Sequence, residues 1–489
     1  LKEELIKLGH KFKTNSDTEV IIKLYKQFGD ESFKMLSGIF AFAIWNESTN
    51  ELKLVRDIVG VKPLYYYHDI KGKKFYFSSL IKPILLSKND NLINDVAFNY
   101  YKNFWHNDQV ETIFKNIFKV QPGELITFTN NKLLKKKILE FNFSKTIFNP
   151  KSEIKRIFSK QFISDVPVAL SLSGGVDSNL IFSIMKENLN TKFKTYSVTF
   201  DDGSNYDAKV AKQNAKLFNY ENIQINVSHT DFIESIEKIV ELLEEPVGNQ
   251  NSIANFILSR KISEKVIFTG DGGDEIFTGY DKYKSIYFLS IIKKFKLIKS
   301  FNFFSSKNSE RLKFNKPEEF YLSFSEANLM ENQQNYFNKF SKINYNDLKF
   351  YHSLNQNESI LNNVMFMDLQ SWIQNDSLVR NDKIFMDNGV EVRVPFLDQE
   401  MIEKFLYIND NKKINFFKRN KPYINKLFKK ELGYLTKKKQ GFDSPFSDWL
   451  QTKLFSFAKI ILSKDYYNGD KYLNYPNIEK FVDNYRINK

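Results

Sequence analysis

Ser171-Leu172-Ser173-Gly174-Gly175-Val176-Asp177-Ser178 lies between an apolar run, Val166 to Leu170, and an apolar-periodic segment that begins at Asn179. That order predicts a strand, a tight Gly-rich turn and a helix N-terminus. Successive backbone N–H groups in such a turn can cradle an anion, and the helix dipole adds partial positive charge. Gly174 and Gly175 leave backbone open that a Cβ would cover. Asp177 adds a hard carboxylate of the kind a magnesium ion takes. The turn has neither the Gly-Lys-Ser/Thr ending of a Walker loop nor the spacing of a dinucleotide fingerprint. The plainer alternative is a Ser/Gly turn after any buried strand.

A second segment repeats the pattern. Lys265 to Thr269 reads as a buried strand and runs into Gly270-Asp271-Gly272-Gly273-Asp274-Glu275. Carboxylates so placed are costly unless cations or water receive them, and at a strand's carboxyl end they are expected to face a ligand crevice. Strands at 166–172, 194–200, 222–227 and 265–270 alternate with helices at 178–188, 207–218, 231–243 and 251–263. Such alternation predicts an α/β doubly wound parallel sheet. The N-terminal part reads differently. Two helices end at Phe28, the second announced by the cap signal Ser16-Asp17-Thr18. A buried strand from Phe40 to Trp45, a turn at Asn46 to Asn50, and strands at 52–56, 64–67 and 74–77 follow. A hairpin pairs Gly123–Phe128 with Leu133–Leu139, and Lys135-Lys136-Lys137 reads as a solvated strand edge. The linker is placed at Asn142 to Pro150, between domains at 1–145 and 151–489. Residues 284–360 have helical periodicity and no identifiable chemistry.

Length and composition narrow the class. The 489 residues leave room for about two or three domains, and 42% hydrophobic content suffices for ordinary cores. No apolar run reaches the ~18 residues of a membrane span, and the charged start Leu1-Lys2-Glu3-Glu4 does not read as a signal peptide. A cytoplasmic protein without membrane or nucleic-acid partners is expected. The net charge of +14 comes from lysines spread along the chain, not from one basic face. Zero cysteines exclude disulfides and thiolate metal sites.

Taken together, the motifs resemble those of glutamine-dependent asparagine synthetases. The first turn is similar to the pyrophosphate loop of enzymes that split ATP between the α and β phosphates. Leu170 to Ser178, Thr269 to Tyr280, Glu391 to Asp398 and Lys438 to Pro445 carry the resemblance in the second half. Gly9 to Glu19, Leu36 to Trp45 and Val55 to Tyr67 resemble the later part of that family's glutaminase domain. The resemblance implies a partial N-terminal-nucleophile glutaminase-type sandwich of α+β class, then an ATP-pyrophosphatase domain. It implies ATP and Mg2+ as cofactors, with aspartate and glutamine or ammonia as small-molecule substrates. A homodimer is one option for assembly. The implied ATP contacts are Leu172, Ser173, Gly174, Gly175, Asp177, Ser178, Val198 beside the adenine, Thr269 and Gly270. Asp177 and Asp274 match the metal ligands, and Asp271 lies in a turn that contacts the intermediate. Lys439 matches a lysine that meets charge on the reacting phosphate. Arg393 is a catalytic candidate whose alternative is a structural salt bridge with Glu391 or Asp398. Asp17 matches the residue that holds the glutamine α-amino group, and Arg56 and Asp57 look structural.

This family's glutaminase uses an N-terminal cysteine, and there is none here. The expectation is an N-terminally incomplete chain with an inactive glutaminase half, the other option being an enzyme that uses free ammonia. Three departures from the pattern stand out: Ser79-Leu80 for Ser-Glu, Glu244-Glu245-Pro246 for Asp-Glu-Pro, and Arg380-Asn381-Asp382-Lys383 for Lys-x-Asp-Arg. Arg and Lys are not equivalent at a clamp. Competing readings are an amidotransferase acting on another carboxylate such as a surface-polysaccharide sugar acid, a non-catalytic binding paralogue, and a tRNA-modifying ATP pyrophosphatase. The last is disfavoured by the second acidic loop and the lack of cysteine.

Overall fold

The computed structural model describes residues 1–88, 90–143, 149–201, 206–246, 248–294, 311–325, 333–343, 354, 357–416, 421–433, 445–466 and 472–487. The chain forms two compact units, Leu1–Asn94 with Val110–Asn142, and Asp95–Gln109 with Phe143–Lys489. The segment 95–109, which carries helix Asp95–Phe104, therefore belongs with the second unit.

In the first unit, helix α1 (Lys2–Lys7) and helix α2 (Asp17–Phe28) precede seven strands. Strands β1 (Ala41–Asn46), β2 (Glu51–Arg56), β6 (Glu124–Thr129) and β7 (Lys132–Lys137) form one antiparallel sheet in that order. Strands β4 (Lys74–Ser78), β3 (Tyr65–Asp69) and β5 (Phe118–Lys119) form another. Leu54, Leu64, Tyr66, Val120 and Ile126 draw on both sheets for one apolar cluster. β1 is less buried than its apolar run predicts: Trp45 is 58% exposed. β7 is the expected lysine-rich edge, and Lys135 lies over the Tyr66 and Phe118 rings. Arg56 and Asp57 are structural. The Arg56 guanidinium donates to the carbonyls of Gly60, Lys62 and Val120, and Asp57 accepts the N–H groups of residues 59–62.

The second unit holds a five-stranded parallel sheet. Strands β8 (Val168–Ser171), β9 (Lys194–Phe200), β10 (Asn222–Val227), β11 (Val266–Phe268) and β12 (Glu391–Arg393) are ordered β10-β9-β8-β11-β12. The chain builds outward from β8 through β9 to β10, then returns to place β11 on the other side of β8. Crevices form at such reversals of strand order, at the carboxyl ends of the strands. Here the reversal falls between the two strands that feed the two Gly-Asp turns. Val266, Ile267 and Phe268 stand opposite Val168, Ala169 and Leu170. All three β11 residues are buried, as expected of a parallel strand covered on both faces. β12 is the element the sequence reading omitted. Its signal was present as the period-two alternation Val390-Glu391-Val392-Arg393-Val394.

Helix α6 (Val176–Asn188) follows β8 and is buried from Asp177 to Met185. A short helix, Gly273–Phe277, follows β11. Further along, helix Ile360–Asp368 continues into a π-helix, Leu369–Leu378, and then helix Val379–Met386. Among the described residues no helix is long and apolar enough to cross a membrane.

Ile267 is fully buried between β8 and β12. Ile267→Ala should therefore lower the unfolding free energy of the second unit by about 2–5 kcal/mol, and Ile267→Val by about 0.5–1.5. Equal costs in urea titrations would mean that this strand is not at the sheet's centre.

Candidate active site

The first turn is held by the side chains of its own helix. Leu172 N–H donates to Tyr196 O (2.8 Å), and Ser197 Oγ donates to Leu172 O (2.7 Å). Ser178 Oγ accepts from Ser173 N–H (3.0 Å) and lies 2.9 Å from Ser173 Oγ, which in turn accepts from Gly175 N–H (3.2 Å). Asn179 Nδ2 ties the carbonyls of Ser173 (2.8 Å) and Gly175 (2.6 Å). Gly175 caps α6 without a side-chain hydrogen bond, so the cap residue leaves the helix start to an incoming anion. The two glycines differ. A Cβ at Gly174 would meet Asp207 Oδ1 at 2.9 Å and Val210 Cβ at 3.2 Å, so helix packing requires that glycine. At Gly175 the nearest atom is Ser173 Oγ at 3.3 Å, so this is the position where a ligand can approach.

In the second turn, Gly272 has φ +86°, in the left-handed region that glycine enters without strain. Asp271 is oriented by three donors: Thr269 Oγ1 (2.6 Å) and Asn381 Nδ2 (3.2 Å) on Oδ2, and Ser377 Oγ (2.6 Å) on Oδ1. The expectation that all three carboxylates face a crevice fails for Glu275. It is 1% exposed, and its Oε1 accepts from Tyr280 OH (2.7 Å) and Trp372 Nε1 (3.0 Å). Burial first, and the neighbouring Asp274 charge second, push its carboxyl up to about 7.

Asp177 and Asp274 meet. Each sits in the first turn of the helix after its strand, so the carboxylates lie just beyond the strand ends. Both reach the ammonium of Lys421, which hydrogen-bonds Asp177 Oδ2 and lies 2.6 Å from Asp274 Oδ1. Lys421 is 3% exposed and holds a left-handed backbone, φ 58°, immediately before helix Pro422–Leu427. Gly279 makes room for the contact, because a Cβ there would overlap the Asp274 carboxylate and meet Lys421 Cε at 2.6 Å. Two carboxylates drawn onto one cationic centre are a fitting donor set for Mg2+, which takes one or two carboxylates plus phosphate oxygens and water.

Val198 lies on β9 two residues beyond Tyr196, the partner of Ser171, and so past the end of β8. Thr269 N–H donates to Arg393 O (3.0 Å), and Gly270 lies against Asp177, whose Cβ would stand 3.0 Å from an added Cβ. The Arg393 side chain does not join these loops. It donates to Glu391 Oε1 (2.8 Å) and to the carbonyls of Gln161 and Ile163 (2.6 and 2.5 Å), tying β12 to the turn after helix Pro150–Gln161. The salt bridge with Glu391 that was its alternative is formed. Asp17 is exposed, and the helix cap beside it is Ser16, whose Oγ accepts from Thr18 N–H. Lys439 lies outside the described residues. Two of the three departures meet each other: Lys383 Nζ pairs with Glu244 Oε2 at 2.7 Å, both buried. Arg380 pairs with Asp376. Lys421, Trp372, Ser377 and Asn381 were missed. The last three depend on a π-helix and the helix after it, whose geometry leaves no mark on an apolar period.

Residues 151–488 match the family described as asparagine synthase, and residues 1–138 match a glutamine amidotransferase domain. The chain is 28% identical to asparagine synthetase (glutamine-hydrolyzing) 1 of Bacillus subtilis strain 168, over 95% of this chain and 77% of that protein. It is 25% identical to asparagine synthetase (glutamine-hydrolyzing) 3 of the same organism, over 92% and 76%. It is 32% identical to a putative asparagine synthetase (glutamine-hydrolyzing) 2 of Methanocaldococcus jannaschii, over 58% and 57%.

The buried Glu275 sets a pH dependence. Its folded value, about 7, exceeds the ordinary 4.5, so its contribution is intact below about 4.5 and is lost as pH rises through about 7. Glu275→Gln keeps an acceptor for Tyr280 and Trp372 and cannot ionise. Its Tm should match the wild type at pH 5 and exceed it at pH 8. A Tm difference that is the same at both pH values would overturn this.

Proposed function

The chain belongs to the asparagine synthase family, and we propose that it makes asparagine from aspartate through a β-aspartyl-adenylate. One observation carries the reading: Asp177 and Asp274, from two separate motifs, converge on one cationic centre at the adjoining ends of β8 and β11. In the reaction a side-chain carboxylate oxygen attacks the α-phosphorus of ATP and pyrophosphate leaves. Ammonia then attacks the acyl carbon, loses a proton, and AMP leaves. The first step needs the phosphates held and the departing charge received.

The residues divide that work. The N-terminus of α6 and the turn at Gly175 receive phosphate oxygens, with Ser173 and Ser178 shaping the turn. Asp177 and Asp274 would hold Mg2+, which supplies charge neutralisation to the pyrophosphate. A carboxylate offers about four acceptor positions. Three at Asp271 are filled by Thr269, Ser377 and Asn381, which leaves capacity for a donor group of nucleotide or intermediate. Val198 lines the nucleotide side of the crevice. Lys439 is assigned to the developing charge on the phosphate through its Lys-Gln-Gly-Phe context. The Glu244–Lys383 pair engages two of the sequence departures with each other, away from the Asp177–Asp274 cluster's own ion pairs. With no cysteine in the chain, no thiolate is available to attack a glutamine amide, and this polypeptide is expected to use ammonia.

Pyrophosphate release should require aspartate, ATP and Mg2+, with ammonium supporting asparagine formation and glutamine not supporting it. Asp177→Asn should reduce release by about 10²-fold or more, as loss of a charge-stabilising group does. Aspartate-independent release with another carboxylate would replace the substrate assignment, and wild-type-like release by the variant would remove the metal site.

A further inference from the structure

Lys421 joins the carboxylate cluster from outside both sequence motifs. Its ammonium lies within ion-pair distance of both Asp177 and Asp274, its side chain is buried, and its backbone is held left-handed. Asn425 Nδ2 donates to Lys421 O at 2.9 Å. Gly279 has no Cβ where the Asp274 carboxylate and Lys421 Cε come together. A lysine ammonium is a point charge on a flexible four-carbon stem and can withdraw without dismantling the backbone around it.

We propose that Lys421 is a positioning residue: in the ligand-free protein its ammonium takes the place of a divalent cation between Asp177 and Asp274, holds the two carboxylates in register, and competes with that cation. The inference rests on the reading of these two aspartates as cation ligands. The formal charges give it direction. Two carboxylates and one ammonium sum to −1, so the cluster still attracts a divalent cation, but less strongly than the bare −2 pair. After the cation enters, the three side chains and the metal sum to +1, which suits a polyphosphate. Without Lys421 the same sum is zero. The lysine thus weakens binding of metal alone and strengthens binding of metal with nucleotide.

Electron paramagnetic resonance titration of the whole chain with Mn2+ alone tests this. Lys421→Met should lower the Mn2+ Kd about tenfold or more, since it removes a unit charge a few ångströms away. Lys421→Arg, which keeps the charge, should bind Mn2+ no more tightly than the wild type. An unchanged or raised Kd in Lys421→Met would overturn the proposal. Where that variant does not fold, acetic anhydride footprinting of the wild type decides instead. Mn2+ should raise acetylation of Lys421 relative to the other lysines, and unchanged protection would overturn the proposal. Asp177→Asn separates the two layers. If it loses Mn2+ while Lys421→Met binds as the wild type does, only the lysine inference falls. If Asp177→Asn binds Mn2+ normally, the metal-site reading falls, and this inference with it.

Discussion

Two carboxylates held side by side repel each other, and the second unit is arranged around holding Asp177 next to Asp274. At an effective dielectric of 20, two like charges about 4 Å apart cost about 4 kcal/mol. A buried charge without a partner is worse still. The parallel pairing of β8 with β11 forces this neighbourhood, because each strand delivers an acidic turn to the same end of the sheet. Lys421 offsets the repulsion from a third element distant in sequence. Sheet order, two Gly-rich turns and one buried lysine therefore answer a single electrostatic problem.

The same problem explains the polar layer behind the turns. The π-helix Leu369–Leu378 and the helix after it present Trp372 to Glu275, and Ser377 and Asn381 to Asp271. Deeper on the π-helix, Ser371 joins His106, Asp108 and Tyr321 in a buried network with contacts of 2.5–2.8 Å. Low dielectric strengthens such networks and makes any missing partner costly. π-Helical turns are rare, and frequently lie at functional sites. Here the aimed groups are donors facing an acidic loop.

The strands and helices that frame the site were legible because each carries one dominant signal. β9 and β10 match their predicted limits, and α6 begins two residues earlier than expected. Asp177 and Asp274 were legible because glycine and carboxylate spacing after a buried strand has few other uses. What escaped was fixed by tertiary contact. Lys421 sits among several basic residues and has no local mark beyond Pro422. Arg393 looked reactive in its motif, yet its Nε and Nη1 donate to Glu391 and two carbonyls. Glu275 was grouped with its acidic neighbours, but the chain turns it inward to Tyr280 and Trp372. Spacing in a turn says which residues are near one another, not which way each side chain faces.

The balance of charge links these pieces to the proposed reaction. The whole chain carries +14, but salt screens charges beyond about 8–10 Å, so that excess steers anions and does little at the site. Locally, among the described residues, Asp177, Asp271 and Asp274 outnumber the buried ammonium of Lys421, and burial favours the neutral form of Glu275. Among the described residues, a bare triphosphate meets net negative charge there, offset in part by the α6 N-terminus. A divalent cation offsets that charge. On the proposed reading the cation and the nucleotide each improve the other's binding, and linkage makes that benefit equal in both directions. A cluster acidic enough to want a cation, yet held by a lysine until one arrives, is suited to accept the two together.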